Sequence, residues 1–162
     1  MARGTYIVNA SAVTLANQAV TLAFVNPGTT VSLEFLRAWA SQAANATSAQ
    51  QRVQLSSQVT AFPTLTAMTP AKTSLIDQVS AITGGTAGAA GTAGVNASAE
   101  GAGAKKVILP DAFNVLNGYL WVPTPVETIT MNASAASGLG LHFPAAPATL
   151  TSWNGGLCYR EL

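Results

Sequence analysis

The sequence has few charged residues for a soluble domain. Only 8% of its 162 residues are charged and the formal net charge is +1, whereas roughly a quarter of the residues are charged in an average domain. The only adjacent basic residues are Lys105 and Lys106. A nucleic-acid site needs a basic patch or stripe. We therefore expect no nucleic-acid partner.

Cysteine and histidine each occur once. Cys158 cannot form an internal disulfide, and His142 with six scattered acids leaves no cluster of metal ligands. His142 lies in a strand-like run without a nucleophile motif, so we predict that it faces solvent and is not a catalytic base. No acid spacing pairs two carboxylates for glycoside chemistry; the acids are Glu34, Asp77, Glu100, Asp111, Glu127 and Glu161. We predict no catalytic residues, no metal, no cofactor and no enzymatic activity.

Long apolar runs are absent as well. No run reaches the roughly 20 residues that span a bilayer, and the N-terminus MARGTYIVNA has no signal-peptide core. We therefore expect synthesis in the cytoplasm and no membrane partner. Without a secretory route, the Asn-Ala-Ser/Thr triplets are turn or edge residues rather than glycosylation sites; they begin at Asn9, Asn45, Asn96 and Asn132.

Small and apolar residues take the place of charge. The apolar fraction is 49%, carried mainly by Ala, Val and Leu, and mean hydropathy is +0.34. A surface of Ala, Ser, Thr, Asn and Gly has little charge repulsion, which favours packing against partners over a free monomer. At this length one core suffices, so we predict a single domain over residues 1–162.

Short apolar runs closed by Pro, Gly or Asn indicate consecutive β-strands. Such runs are most regular after Lys106, where KVILPDAFNVLNGYLW predicts an aromatic strand over 107–121. Roughly eight to ten strands with little helix are typical of a sandwich or jelly roll. We predict an all-β, jelly-roll-like antiparallel sandwich with long loops. The predicted strands cover residues 5–15, 20–24, 30–42, 53–59, 107–121, 126–131, 139–143 and 157–161.

Residues 30–42 are ambiguous, since Val31, Leu33, Phe35 and Trp39 share a period-two face while the segment also contains good helix formers. We favour a strand that pairs with the next one, in which Val53, Leu55 and Val59 alternate with polar residues. Any helix should be confined to one short segment within 32–43 or 73–83.

The segment 83–104 is almost entirely Gly, Ala and other small residues. We predict a loop or arm, with two alternatives: a disordered loop, or a flat segment that lies close against another backbone. Together with the residues before Tyr6, it is predicted to contact neighbouring subunits.

The aromatic residues have two possible uses. Trp39, Trp121 and Trp153 could stack on sugars, but core or interface packing is commoner. We predict that Tyr119 and Trp121 anchor the core or a subunit contact.

Several phrases resemble the small β-rich decoration (cement) proteins that bind the outside of tailed-phage heads: SLEFLRAW, SAQQRVQL, GVNASAEG, DAFNVLNGYLWVPTPVETI and SGLGLHFPAAPATLTSWNGGLCYREL. The resemblance runs from Thr30 onward, except for the variable middle, Phe62 to Gly94. It implies a jelly-roll-like sandwich on the virion surface that stabilises the lattice of the major capsid protein and assembles with its own copies. It transfers no site residues. The alternative is a carbohydrate-binding β-sandwich module, with a hydrolase less favoured.

Overall fold

The computed structural model describes residues 3–17, 20–44 and 47–162. Within these ranges the regular elements are all strands, and none is a helix, so the all-β prediction is confirmed. The strands are β1 (Gly4–Val13), β2 (Val20–Val25), β3 (Leu33–Gln42), β4 (Gln50–Val59), β5 (Thr64–Ala67), β6 (Ala71–Lys72), β7 (Thr83–Gly84), β8 (Thr92–Ala99), β9 (Ala104–Asn114), β10 (Tyr119–Trp121), β11 (Ile129–Met131), β12 (Ser137–Phe143) and β13 (Trp153–Glu161).

The strands form two sheets packed as a sandwich. The first has the order β10-β3-β13-β1-β6, with β11 also on β3, and the second has the order β5-β8-β2-β12-β4-β9, with β7 on β8. The orders β1-β13-β3-β10 and β2-β12-β4-β9 within them are those of a jelly roll, in which consecutive strands alternate between sheets. All pairings are antiparallel except that of β7 with β8. The predicted antiparallel sandwich is therefore confirmed.

Residues 60–103 are inserted between β4 and β9 and contain β5 to β8. Strands β5, β7 and β8 extend the second sheet beyond β2, while β6 pairs with β1 at the margin of the first sheet. The insertion thus occupies one edge of the sandwich. The opposite edge is formed by β9, β10 and β11.

The core lies between the inner faces of the two sheets. Its centre is an aromatic cluster in which the rings of Trp153 and Phe143 are 4.7 Å apart and that of Phe113 is 6.3 Å from each. The Trp153 indole donates a hydrogen bond to the Thr149 carbonyl over 2.9 Å, so its polar atom is satisfied inside the core. This packing clamps β12 against β13.

The strand prediction for residues 30–42 is confirmed, but two details were wrong. The expected pairing of β3 with β4 does not occur, because the jelly roll places them in different sheets. A bulge opposite Cys158 and Tyr159 makes Leu36 an extra residue in β3. Ala38 and Ala40 therefore follow Phe35 into the core, and Trp39 points to the other face.

The burial of the end of β4 is the reverse of the prediction, since Gln58 is buried and Val59 is exposed. Gln58 lies opposite Gly138 and its amide donates to the Ala61 and Glu100 carbonyls, so the insertion covers it. The register shift with β9 makes Ile108 an extra residue of β9 and leaves the alternation of β4 unchanged. The aromatic strand predicted over 107–121 is also two strands. Pro110 lies within the edge strand β9, where a missing N–H is tolerated, and after a turn β10 joins the other sheet.

The segment 83–104 is not a free loop or arm. It contains β8, whose Ala93, Val95 and Ala97 side chains are buried. The close-backbone alternative describes it better, since a Cβ at Gly101 would lie 2.2 Å from the Ala61 carbonyl oxygen. The residues before Tyr6 are not a free arm throughout, because β1 begins at Gly4; residues 1 and 2 lie outside the described ranges. The contact of both segments with neighbouring subunits stays a prediction.

The Asn-Ala-Ser/Thr triplets are only partly at turns or edges. Asn9 lies in β1 and Asn96 in β8, where its φ is 50°. Asn132 follows β11 directly. Asn45 lies outside the described ranges.

Candidate interaction surface

Within the described ranges, no group of three or more His, Cys, Asp and Glu side chains could hold a metal ion. Glu34 accepts hydrogen bonds from Arg160, and Glu161 is fully buried with Arg3 as its ion-pair partner. Glu100 pairs with Lys105 at the beginning of β9. Three of the six carboxylates therefore have ion-pair partners.

The prediction that His142 faces solvent was wrong. Only 5% of the residue is exposed, and its Nδ1 lies 3.1 Å from the Ser56 hydroxyl. Burial, reinforced by the Lys105 ammonium and opposed by Glu100, lowers the His142 pKa from 6.5 to about 4. Because Ser56 is also buried, this Ser–His contact is closed to a substrate. It belongs to the packing of the second sheet.

The outer face of the second sheet is covered at β2 and β12. The Phe24 ring lies over Gly138, where a Cβ would be 2.3 Å from Cζ, and Phe62 packs on it with a centroid separation of 5.6 Å. Beside it, Glu100 accepts hydrogen bonds from the Thr21 amide and hydroxyl. Phe62 and Glu100 belong to the insertion, which therefore covers this part of the face.

The outer face of the first sheet is open by contrast. We call it the open face and define it by Ile7, Arg37, Trp39, Leu120 and Gly156. The Trp39 indole lies on Gly156, where a Cβ would be 2.8 Å from Cζ2, and the Arg37 guanidinium lies 5.0 Å above the ring centroid. Leu120 is opposite Trp39 in the β10–β3 pairing and is 66% exposed. The face is flat because a glycine supports the ring.

A groove runs along the edge formed by β9, β10 and β11. We call it the edge groove; it has a volume of about 210 Å³ and is lined by Ile108, Leu109, Trp121, Glu127 and Ile129. Four of these five side chains are apolar. The predicted core role is confirmed for Tyr119, which is buried against Phe113, whereas Trp121 is only partly buried here and Trp153 lies at the centre of the core. A subunit contact through Trp121 stays a prediction.

A projection lies at the other edge, in the loop 73–81 between β6 and β7. We call it the knob and define it by Leu75, Ile76 and Val79, which are 93%, 94% and 71% exposed. The sequence analysis allowed a short helix within residues 73–83, which does not form, and it did not predict this exposure. Leu75 and Ile76 stand four and three residues before Val79, which is helical spacing, so the sequence contains no signal of the exposure.

The loop that carries the knob is held by hydrogen bonds to β1 and β13. The Arg3 guanidinium donates to the Val79 carbonyl over 3.1 Å, and the Tyr6 hydroxyl donates to the Gln78 carbonyl over 2.9 Å. Asp77 accepts from the Thr5 amide over 3.2 Å. Ordering the loop in this way lowers the entropy cost of binding through it.

The described part of the chain contains no helix able to cross a bilayer. No family model, no curated protein and no solved structure matches this chain.

Proposed function

We propose that this protein is a non-catalytic capsid decoration protein, which binds the outer surface of a tailed-phage head and stabilises the lattice of the major capsid protein. The observation that carries the proposal is the contrast between the two outer faces of the sandwich. The insertion covers the outer face of β2 and β12 in the second sheet, whereas the first sheet presents Trp39 and Leu120 on its outer face. The open face is the proposed contact with the shell.

The chemistry of the open face suits a large, shallow contact. The outward-facing residues around Trp39 include Asn9 and Asn154, whose side chains are short, and Gly156, which has no side chain. Short side chains lose little rotamer entropy on docking. A standard interface needs roughly 800 Å² per partner, and an open sheet face can supply such an area without rearrangement. Many copies on one lattice would add avidity.

The half-buried Trp39 on the outer face supports the carbohydrate-binding alternative, because sugars stack on tryptophan beside polar side chains. The Arg37 guanidinium lies over the ring, however, so a sugar that stacks there has to displace a cation–π contact. The edge groove is no better suited, since Trp121 is surrounded there by Ile108, Leu109 and Ile129. Both arrangements favour a protein partner.

Co-sedimentation with emptied heads of the phage that encodes the chain tests the proposal. We expect the protein to pellet with heads and Leu120→Asp to weaken that binding at least tenfold. Leu116→Asp is the matched control, because Leu116 is 52% exposed but lies in the turn between β9 and β10, outside the open face. Failure of the unmodified protein to pellet, with Trp39-dependent binding to an oligosaccharide array, would favour the sugar-binding module.

A further inference from the structure

The knob and the edge groove lie on opposite edges of the same sandwich. In the first sheet the order from groove to knob is β11, β3, β13, β1, β6, and four inter-strand steps of about 4.8 Å separate the two margins by about 19 Å. The three apolar side chains of the knob therefore cannot reach the groove of their own chain. Each surface is left without an apolar partner within the described part of the molecule.

Four of the described charged residues without an ion-pair partner lie at or beside these two surfaces, namely Lys72, Asp77, Lys106 and Glu127. In the described ranges, ion pairs use Arg3, Lys105 and Arg160 together with three acids. Lys72 instead donates to the backbone carbonyl of Asp77 beneath the knob, and Glu127 on the groove accepts from the Thr124 hydroxyl. The knob thus has an ammonium where the groove has a carboxylate.

In the second pair of charges, the acidic residue lies in the knob loop and the basic residue lies beside the groove. Asp77 lies in the knob loop and bonds the Thr5 amide, while Lys106 lines a second depression that shares Ile108 and Ile129 with the edge groove. A knob with Lys72 and Asp77 therefore meets a groove with Glu127 and Lys106. The groove therefore fits a partner that has exposed apolar side chains beside one ammonium and one carboxylate, as the knob does.

We propose that the occupant of the edge groove is the knob of a second copy of this chain, with Leu75 and Ile76 inserted between Ile108, Trp121 and Ile129. The contact joins two different surfaces, so a dimer keeps one knob and one groove free for further copies. Repetition gives a closed ring or an open row, according to the rotation between copies. Strand addition along β9 is disfavoured, because Pro110 removes an edge N–H and Lys105 and Lys106 flank the apolar stretch.

Three apolar side chains and two charge pairs form a contact smaller than a standard interface, so we expect weak association in solution, with a Kd between about 1 μM and 1 mM. On a crowded surface the same contact is multivalent and correspondingly stronger. The contact needs no head, so it stands or falls independently of the proposed function.

Sedimentation velocity of the full chain over micromolar to millimolar concentrations tests the proposal. The unmodified protein should form larger species as concentration rises, and Ile76→Asp and Ile108→Asp should each remain monomeric. Leu116→Asp should associate like the unmodified protein. An equimolar mixture of the two monomeric variants should form a dimer and nothing larger, since only one intact knob and one intact groove remain.

A charge reversal tests the same contact without requiring that Ile76→Asp and Ile108→Asp fold. Lys72→Glu should weaken association about tenfold, and combining it with Glu127→Lys should restore it, because both side chains lie at the surface. A strictly monomeric unmodified protein at millimolar concentration would overturn the proposal. A mixture of Ile76→Asp and Ile108→Asp that stays monomeric would overturn it as well. A third refuting result is an Ile76→Asp variant that still self-associates but no longer binds heads, since the knob would then dock on the shell.

Discussion

Replacing Trp153 by alanine should be the most damaging single tryptophan substitution in this chain. The side chain is fully buried, its ring lies 4.7 Å from Phe143 and meets Phe113 edge-on, and its indole N–H is bonded to Thr149. Removing a buried Trp costs about 3–5 kcal/mol. The loss of two aromatic pairs and a satisfied hydrogen bond places the expected loss of unfolding free energy at the upper end, about 5 kcal/mol.

Urea denaturation followed by circular dichroism measures this loss, and Trp121→Ala is the matched control. Trp121 is only partly buried at the edge groove, so its removal should cost less than about 2 kcal/mol. A domain of this size loses about 2–4 °C of Tm per kcal/mol, so Trp153→Ala should lower Tm by roughly 10–20 °C. Equal losses for the two variants, or a larger loss for Trp121→Ala, would refute the assignment of Trp153 to the centre of the core.

Three further predictions concern the second sheet. The free energy of unfolding should fall as pH decreases from about 6.5 to about 4, because the unfolded chain protonates His142 before the folded chain does; the contribution of this residue is at most about 3 kcal/mol. His142→Gln should flatten the pH dependence of urea unfolding between these pH values. An identical pH profile for the variant would contradict the burial of His142. Deleting residues 86–102 removes β8 and should abolish cooperative thermal unfolding; a folded deletion variant would show that β8 is dispensable. Gly138→Val forces a side chain onto the Phe24 ring and should lower the free energy of unfolding by about 1–3 kcal/mol in urea, whereas a neutral result would mean that the ring moves aside.

The sequence was sufficient to predict the class of fold because most apolar residues follow a period of two. The pairing partners of each strand were harder to predict from the sequence. In a jelly roll, neighbours in sequence alternate between sheets, so the expected pairing of β3 with β4 failed although both strands form. A bulge caused the error in facing in β3, since one extra residue at Leu36 turns Trp39 outward and nothing in the local composition marks it. The error at Gln58 has another cause, because the insertion that covers it comes from later in the chain.

The Gly/Ala segment shows why small residues were misjudged. Large side chains are absent from β8 because neighbouring backbone lies too close for them, as at Gly94, where a Cβ would be 2.7 Å from the Leu65 Cβ. Its lack of apolar bulk therefore reflects tight packing and not exposure. The burial of His142 was equally hidden, because Ser56 and Glu100 approach it from distant parts of the chain.

The candidate surfaces could not be located from composition alone. The low charge of the chain predicted a partner, but the open face depends on which sheet the insertion covers, and the knob depends on a loop fixed by Arg3 and Tyr6. These contacts span more than 70 residues of sequence. Periodicity within a few residues cannot predict contacts between such distant residues.

A cryo-electron microscopy reconstruction of heads saturated with the protein tests the central claim most directly. The account predicts density for the sandwich on the outside of the shell, with Trp39 and Leu120 of the first sheet directed at the major capsid protein and Phe62 of the second sheet directed at solvent. Heads without added density, or a sandwich docked through its second sheet, would contradict it.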